Sequence, residues 1–264
     1  MSEMIKLYDE SKCTACRGCQ LACKQWNALP AGQTYNVGTY QNPPDLQPNT
    51  WMLIRFQETS NGNGDLKWHF RKDACMHCTD AGCIKVCPSG ALFRTPYGSV
   101  GLDKDKCIGC KECIYACPFD VPRYDAATDK IAKCDLCFSR ISRGMDPACV
   151  KACPTGALSF GEKNEMIAKA HARVKELGGN ANVYGDQFVK GTHMMFVLTD
   201  KPAVYDKLPE RPRVPLSVIA WKDWFKPITL LAAGGVLAGS FIHYILHGPK
   251  DTSGDDQAGR EGGE

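Results

Sequence analysis

The stretch that decides the fold is residues 107–118, which read CIGCKECIYACP. Its four cysteines follow the spacing C-x2-C-x2-C-x3-C, and a proline comes directly after the last one. Thiolates this close in sequence can surround one inorganic group when the backbone between them turns tightly. The stretch therefore predicts a compact centre held by cysteine sulfur.

Three further stretches repeat this arrangement, so the 16 cysteines of the chain fall into four groups with none left over. In chain order, groups one to four are Cys13, Cys16, Cys19 and Cys23; Cys75, Cys78, Cys83 and Cys87; Cys107, Cys110, Cys113 and Cys117; and Cys134, Cys137, Cys149 and Cys153. A proline follows the last cysteine of every group except the first, where Lys24 stands instead. Such an internal repeat indicates one structural unit used several times.

The spacing of group three is the one with which bacterial ferredoxins bind 4Fe–4S clusters, each held by four thiolates. Group one has the same spacing, whereas groups two and four widen one gap to four and eleven residues. Both keep the leading C-x2-C and the closing C-x3-C-P. The sequence therefore predicts four 4Fe–4S clusters.

Zinc is the main alternative to iron and sulfide. Zinc ribbons use two C-x2-C pairs separated by a longer stretch, and only group four approaches that layout. A disulfide scaffold fits less well, because such chains are usually small secreted domains. The start MSEMIKLYDE also lacks the apolar run of a signal peptide. A zinc-bearing scaffold anchored to a membrane remains the alternative of a different functional class.

In two-cluster ferredoxins the fourth cysteine of each run binds the neighbouring cluster. We therefore expect the fourth cysteine of each group to cross to a partner group. These crossing residues are Cys23, Cys87, Cys117 and Cys153. The spacing alone does not say which groups form pairs.

Charged residues near the cysteines could tune the reduction potentials of the clusters. Lys24, Arg123 and Lys133 lie close to cysteines in sequence and would favour the more negative, reduced state. The alternative for each of them is an ordinary charge on the surface.

The segments between and after the cysteine groups predict the remaining elements. Residues 31–49 are rich in Gly, Pro, Asn and Gln and predict a loop, and alternating apolar residues at 52–56 and 66–70 predict a β-hairpin with one apolar face. Apolar residues at helical spacing predict a helix over 162–177, in which His171 is an ordinary surface or packing residue. A strand over 194–198 and an extended connector over 201–215 follow.

The last informative segment, residues 228–246, reads ITLLAAGGVLAGSFIHYIL. As a helix it is about 28 Å long, enough to cross a hydrocarbon core of about 30 Å. Trp221, Trp224 and Phe225 precede it, as aromatic anchors do at a membrane interface. His243 and His247 share a face of this helix, which makes contact with a haem or a quinone a hypothesis beside plain interfacial placement.

Composition excludes other function classes. The net charge is +3 with both signs interspersed, and no basic stripe indicates nucleic-acid binding. No phosphate-cradling glycine loop, nucleophile or carboxylate pair points to a substrate. The chain is therefore expected to be non-catalytic.

Together these features predict an α+β fold: two ferredoxin-like double-cluster modules, a β-hairpin insertion and one C-terminal transmembrane helix. The expected divisions are a four-cluster domain at 1–160 with the insertion at 24–74; a docking helix, strand and connector at 161–215; a transmembrane anchor at 216–250; and a disordered tail at 251–264.

These residues resemble the electron-transfer subunits of molybdenum or tungsten bis-pterin oxidoreductases, and most closely the iron–sulfur (β) subunit of membrane-bound formate dehydrogenase. The resemblance runs from about residue 5 to residue 250. It is carried by RKD at 71–73 with CMHC at 75–78, PACVK at 147–151, CPTGA at 153–157, GTH at 191–193, and the membrane helix with its His243-Tyr244 pair.

The resemblance implies that groups one and four pair, as do groups two and three. The four implied cluster sites are site 1, Cys13, Cys16, Cys19 and Cys153; site 2, Cys134, Cys137, Cys149 and Cys23; site 3, Cys75, Cys78, Cys83 and Cys117; and site 4, Cys107, Cys110, Cys113 and Cys87. It also implies that sites 1 and 2 are the pair nearer the membrane.

The resemblance further implies a three-subunit complex in the cell inner membrane. A catalytic subunit with a molybdopterin or tungstopterin centre would oxidise formate, and a membrane cytochrome b subunit would pass the electrons to quinone. The globular part of this chain would be periplasmic, although the Lys and Arg residues flanking the helix lean weakly the other way. A relay for a hydrogenase or a sulfur-compound reductase is the alternative.

Overall fold

The computed structural model describes residues 2–36, 38–60, 64–220 and 224–248. The chain divides into two compact units, Met1–Val218 and Ile219–Glu264. The predicted tail at 251–264, the predicted anchor Trp221 and the hairpin turn at 61–63 lie outside the described residues.

Short strands and helices alternate along the first unit. The strands are β1 (Met4–Asp9), β2 (Met52–Ser60), β3 (Leu66–Ala74), β4 (Leu92–Arg94), β5 (Val100–Leu102), β6 (Arg123–Asp125), β7 (Lys130–Ala132), β8 (Leu158–Glu162), β9 (Asn182–Tyr184) and β10 (Met194–Leu198). The helices are α1 (Gly18–Trp26), α2 (Gly82–Val86), α3 (Glu112–Tyr115), α4 (Phe138–Ile141), α5 (Ala148–Lys151), α6 (Lys163–Leu177), α7 (Leu216–Ala220) and, in the second unit, α8 (Lys226–His247).

A four-stranded sheet with the order β8-β1-β10-β9 organises the first unit. β1 runs parallel to β10 and antiparallel to β8. Ile5 and Leu7 of β1 are buried in a cluster with residues of α6, whereas Tyr8 is buried in the core that contains the cysteines. Because side chains alternate across a strand, β1 is covered on both faces.

The remaining strands place the cysteine groups. Group two lies between β3 and β4, group three between β5 and β6, and group four between β7 and β8. The hairpins β4–β5 and β6–β7 connect successive groups. The repeat seen in the sequence is therefore a repeat of strand, cysteine loop and strand.

The predicted β-hairpin is formed by β2 and β3, in a register that runs from Met52 opposite Ala74 to Ser60 opposite Leu66. The prediction of a single apolar face was wrong at its base, where residues 52–55 are all buried. The loop before β2 covers the second face, because Asp45 pairs with Arg55 at 2.7 Å. Near the turn the hairpin is exposed to solvent, as the exposed Leu66 shows.

The predicted helix after group four is α6. The Glu162 side chain caps its first turn by accepting hydrogen bonds from the backbone N–H groups of Asn164 and Glu165. Gly178 ends it with a φ of 64°, which glycine adopts without strain. His171 is half exposed and pairs with Asp186 at 3.2 Å, as expected of a surface histidine.

The second unit contains the predicted membrane helix. Residues 227–247 of α8 have a mean hydropathy of 1.7, and none of this surface is buried. Among the described residues it is the one helix long and apolar enough to cross a membrane. Trp224 and Phe225 lie just before it and are exposed.

Candidate iron–sulfur centres

All 16 cysteines are free thiols within the first unit. Most are buried or partly buried, and the two exposed ones are Cys16 and Cys110, the second cysteines of groups one and three. Buried, unpaired thiols in such numbers are chemically suited to bind a soft inorganic group.

A left-handed backbone residue follows the first cysteine of every group at the same offset of two. These residues are Ala15 (φ 55°), His77 (φ 50°), Gly109 (φ 68°) and Leu136 (φ 63°). In two groups the turn aims a backbone N–H at the preceding sulfur, at 3.4 Å both for Ala15 to Cys13 and for Leu136 to Cys134. This conformation is unfavourable for residues other than glycine, so these loops hold strain of the kind found at binding sites.

A second turn follows the last cysteine in groups two to four. Gly90, Asp120 and Gly156 lie three residues after that cysteine and have φ values of 67°, 48° and 66°. Group one differs because its chain continues as α1, which places Cys19 and Cys23 one helical turn apart. A proline after Cys23 would interrupt that helix, which explains Lys24 at this position.

Cys23 lies among the cysteines of group four. Burial raises the pKa of its thiol above the usual range, and neighbouring sulfur atoms raise it further. These neighbours are Cys134, Cys149 and Cys137. Conversely, Cys153 of group four lies near group one, where it acts on Cys13 and Cys19.

Groups two and three exchange their last cysteines in the same way. Burial raises the pKa of Cys117 to about 12, and the sulfur atoms of Cys75 and Cys83 contribute. Burial also raises the pKa of Cys113 to about 12, and Cys87 is among the sulfur atoms that contribute. The structure thus brings each fourth cysteine close to cysteines of another group.

The donor set fits an iron–sulfur cluster better than a single ion. Among the described residues no group of three or more His, Cys, Asp or Glu side chains converges on a point where one metal ion could bind. Zinc needs four ligands within about 2.3 Å of one point. Four separated thiols around a common space suit a larger inorganic group, in which each sulfur binds a different iron atom.

Of the three charges suggested by the sequence, one lies inside the molecule. Lys133 is buried, and its Nζ donates hydrogen bonds to the carbonyl oxygens of Val100 and Cys134. Arg123 pairs instead with Asp45 and Asp120, and Lys24 donates to loop carbonyl oxygens. Arg123 and Lys24 therefore stabilise loops.

Sequence reasoning missed two further lysines. Lys6 in β1 and Lys72 in β3 are completely buried, and Lys6 Nζ lies 3.6 Å from Cys149 Sγ. A single lysine among alternating residues is typical of a solvent-facing strand position, so no sequence signal distinguishes Lys6. The RKD motif at 71–73 includes Lys72, but the motif did not identify its burial.

His243 and His247 stack on one face of α8, with ring centroids 4.7 Å apart. This agrees with their spacing of four residues and adds no evidence of a ligand. Contact with a haem or a quinone therefore stays a hypothesis.

Comparison with known proteins agrees with this geometry. Residues 12–91 and 66–163 each match a family model of a 4Fe–4S dicluster domain, and residues 214–257 match the model described as formate dehydrogenase N, transmembrane. The second unit is thus matched separately from the cysteine-bearing unit. The matches support 4Fe–4S clusters in the first unit and a single-pass membrane anchor in the second.

Several similar proteins are named as subunits of formate dehydrogenases. The nitrate-inducible formate dehydrogenase iron–sulfur subunit of Escherichia coli is 44% identical over 263 residues, covering 97% of this chain and 89% of that protein. The formate dehydrogenase iron–sulfur subunit of Haemophilus influenzae is 45% identical over 255 residues, covering 94% and 81%. A β subunit of formate dehydrogenase 2 from Nitratidesulfovibrio vulgaris is 44% identical over 178 residues, covering 64% and 81%. The chain belongs to the family of formate dehydrogenase iron–sulfur subunits.

Proposed function

We propose that this chain is the non-catalytic electron-relay subunit of a membrane-bound formate dehydrogenase and that it holds four 4Fe–4S clusters at sites 1 to 4. The observation that carries this proposal is the exchange of fourth cysteines between groups. Cys23 neighbours group four, Cys153 neighbours group one, Cys117 neighbours group two and Cys87 neighbours group three. When bound, a 4Fe–4S cluster supplies one-electron transfer.

The cysteines also support a linear order of the four sites. Cys149 of site 2 acts electrostatically on Cys19 of site 1. Cys75 of site 3 neighbours Cys134 of site 2, and Cys113 of site 4 neighbours Cys83 of site 3. We therefore propose that the sites form the row 1, 2, 3, 4, with the exposed Cys16 in the first site and the exposed Cys110 in the last.

The connector that follows β10 passes beside one site of this row. Val214 is buried beside Gly82, and its Cγ1 lies 3.2 Å from where a Cβ of that glycine would stand. Gly82 precedes Cys83, so the chain leaves the first unit beside site 3. The resemblance implies that sites 1 and 2 are the pair nearer the membrane, and that order stays a prediction.

The names of the relatives support formate as the source of the electrons. They are named as iron–sulfur or β subunits of formate dehydrogenases, so formate oxidation is assigned to a catalytic partner with a molybdopterin or tungstopterin centre. From the resemblance we further propose that a cytochrome b subunit in the inner membrane is the acceptor and that the first unit is periplasmic. α8 is the proposed single-pass anchor.

Replacing one ligand of site 4 separates the relay from catalysis. In the complex carrying Cys113→Ser, formate oxidation with an artificial dye should persist, because the dye takes electrons before the interrupted site. Electron transfer from formate to quinone should be lost. The matched control is Glu112→Ser, which changes an exposed neighbour in the same short helix and should leave both activities intact.

Two outcomes would contradict the proposal. Full quinone reduction by Cys113→Ser would show that site 4 is not in the relay. A co-purifying large subunit without a pterin centre or formate-dependent dye reduction would show that the partner is another enzyme, such as a hydrogenase or a sulfur-compound reductase.

A further inference from the structure

Among the described residues of the first unit, three lysines are buried without a carboxylate partner. Lys6, Lys72 and Lys133 have exposed fractions of 1%, 0% and 2%. Within the described part of the chain their ammonium groups contact sulfur atoms and backbone carbonyl oxygens. Lysine is almost never fully buried unless it is paired, because removing an isolated charge from water is costly. Each of these lysines therefore needs an anion nearby.

Lys6 faces site 2. Its neighbours Ile5 and Leu7 pack with α6, so the alternation of β1 turns Lys6 to the opposite side. Its Nζ lies 3.6 Å from Cys149 Sγ, a proposed ligand of site 2. The other sulfur atoms that act electrostatically on Lys6 are Cys134, Cys137 and Cys23, the remaining cysteines of site 2.

Lys72 lies between sites 1 and 2. Its Nζ is 3.2 Å from the thioether sulfur of Met52, which carries no charge to neutralise it. Its positive charge acts on Cys19 of site 1 and on Cys23 of site 2, and opposes the effect of burial on both thiols.

Lys133 lies between sites 2 and 3. Its Nζ donates to the carbonyl oxygen of Cys134 at 3.0 Å, and its charge acts on Cys75 and Cys83 of site 3. The three lysines thus follow the row of sites through its interior, while the exposed cysteines mark its two ends.

We propose that Lys6, Lys72 and Lys133 are fixed counter-charges that raise the reduction potentials of the buried clusters, an inference that rests on the proposed relay function. Gaining an electron makes a cluster more negative, and burial removes the water that would stabilise this form. A fixed positive charge in the low-dielectric interior replaces that stabilisation. Water can act in the same way at the solvent-exposed ends of the row.

The test is a redox titration of the purified complex, followed by electron paramagnetic resonance. Each cluster signal is first assigned by the cysteine variant that removes it. Lys6→Met keeps the length of the side chain and removes its charge, and it should lower the reduction equilibrium constant of the site 2 cluster at least tenfold. For a one-electron couple this is a shift of about 59 mV.

The other variants should shift different clusters. Lys72→Met should lower the potentials at sites 1 and 2, and Lys133→Met those at sites 2 and 3. Lys169→Met is the matched control, because it removes one positive charge from the exposed side of α6 and should shift none of the potentials.

The outcomes distinguish this proposal from the relay itself. If the clusters titrate normally and no lysine variant moves a potential, the counter-charge proposal is wrong and the relay stands. If the wild-type complex shows no signals of reduced 4Fe–4S clusters, the relay is wrong. If Lys6→Met does not assemble, Lys6→Arg decides: intact clusters with near wild-type potentials support the need for charge, and loss of clusters contradicts it.

Discussion

Soluble proteins usually expose charged side chains and bury apolar ones. The two units of this protein depart from this rule in opposite ways. The first unit buries charge, with Lys6 and Lys72 at 1% and 0% exposure. The second exposes apolar side chains, with Leu231 and Leu237 at 77% and 72%. In an ordinary soluble domain both arrangements would be unfavourable.

The difference shows which environment suits each unit. Buried cations beside cysteine sulfur suit an anionic inorganic cluster, which pairs with them where water cannot. An apolar helix with none of its surface buried suits a hydrocarbon environment. The exceptions to the burial rule therefore identify a cluster-binding unit and a membrane-binding unit.

The largest effect, on membrane binding, is expected from removing the second unit. A chain ending at Val218 should leave the membrane fraction completely and remain brown, because all cysteines lie before that residue. The removed apolar helix of 21 residues would span about 31 Å, the thickness of a hydrocarbon core. Separation of membrane and soluble fractions, with the iron content measured per chain, checks this prediction. A truncated chain that stays in the membrane fraction would show that α8 is not the main anchor.

The next largest effect is a loss of stability, expected when the buried Lys6 loses the anion beside it. Cys149→Ser should remove one cluster and also leave Lys6 without its nearest anion, a loss of about 3–5 kcal/mol. For a unit of this size that lowers Tm by about 10 °C. Cys16→Ser, at an exposed ligand, is the comparison and should cost less, as measured by thermal unfolding of the two variants.

A second substitution makes that comparison sharper. Adding Lys6→Met to Cys149→Ser should recover much of the lost stability, because the stranded charge is then absent. If the stability loss of the double variant equals the sum of the losses of the two single variants, Lys6 and Cys149 are not coupled.

A core substitution compares apolar contacts in the two units. Leu53 in β2 is completely buried, so Leu53→Ala should destabilise the first unit by about 2–5 kcal/mol. Leu237→Ala makes the same chemical change in α8 and should leave the thermal unfolding of the first unit unchanged. An equal effect of both substitutions would contradict the independence of the two units.

The smallest effect is expected at His171. Its side chain is 54% exposed and pairs with Asp186, an arrangement that usually contributes less than about 1 kcal/mol. His171→Asn should leave both Tm and the cluster signals unchanged. A changed cluster signal would show that this histidine has a role at a site.

Much of the architecture could be predicted from the sequence, because the signals are local. Cysteine spacing identified the four groups, helical periodicity identified α6, and apolar length identified α8. The β2–β3 hairpin was also predicted, but not the burial of Arg55, which depends on a loop that folds back over β2.

What the sequence could not predict depends on contacts between distant segments. The strand β1 has only six residues, and it is stabilised by β10, almost 190 positions later. Its burial on both faces, and therefore the burial of Lys6, follows from that pairing. The left-handed turns at Ala15, His77 and Leu136 were hidden because their residue types do not favour this conformation.

The most direct test of the central claim is the amount of iron, acid-labile sulfide and zinc in the purified chain. Sixteen cysteines with four per 4Fe–4S cluster predict about 16 iron and about 16 sulfide atoms per chain, with no stoichiometric zinc. A chain with stoichiometric zinc and little iron or sulfide would contradict the assignment of these cysteines to an electron relay.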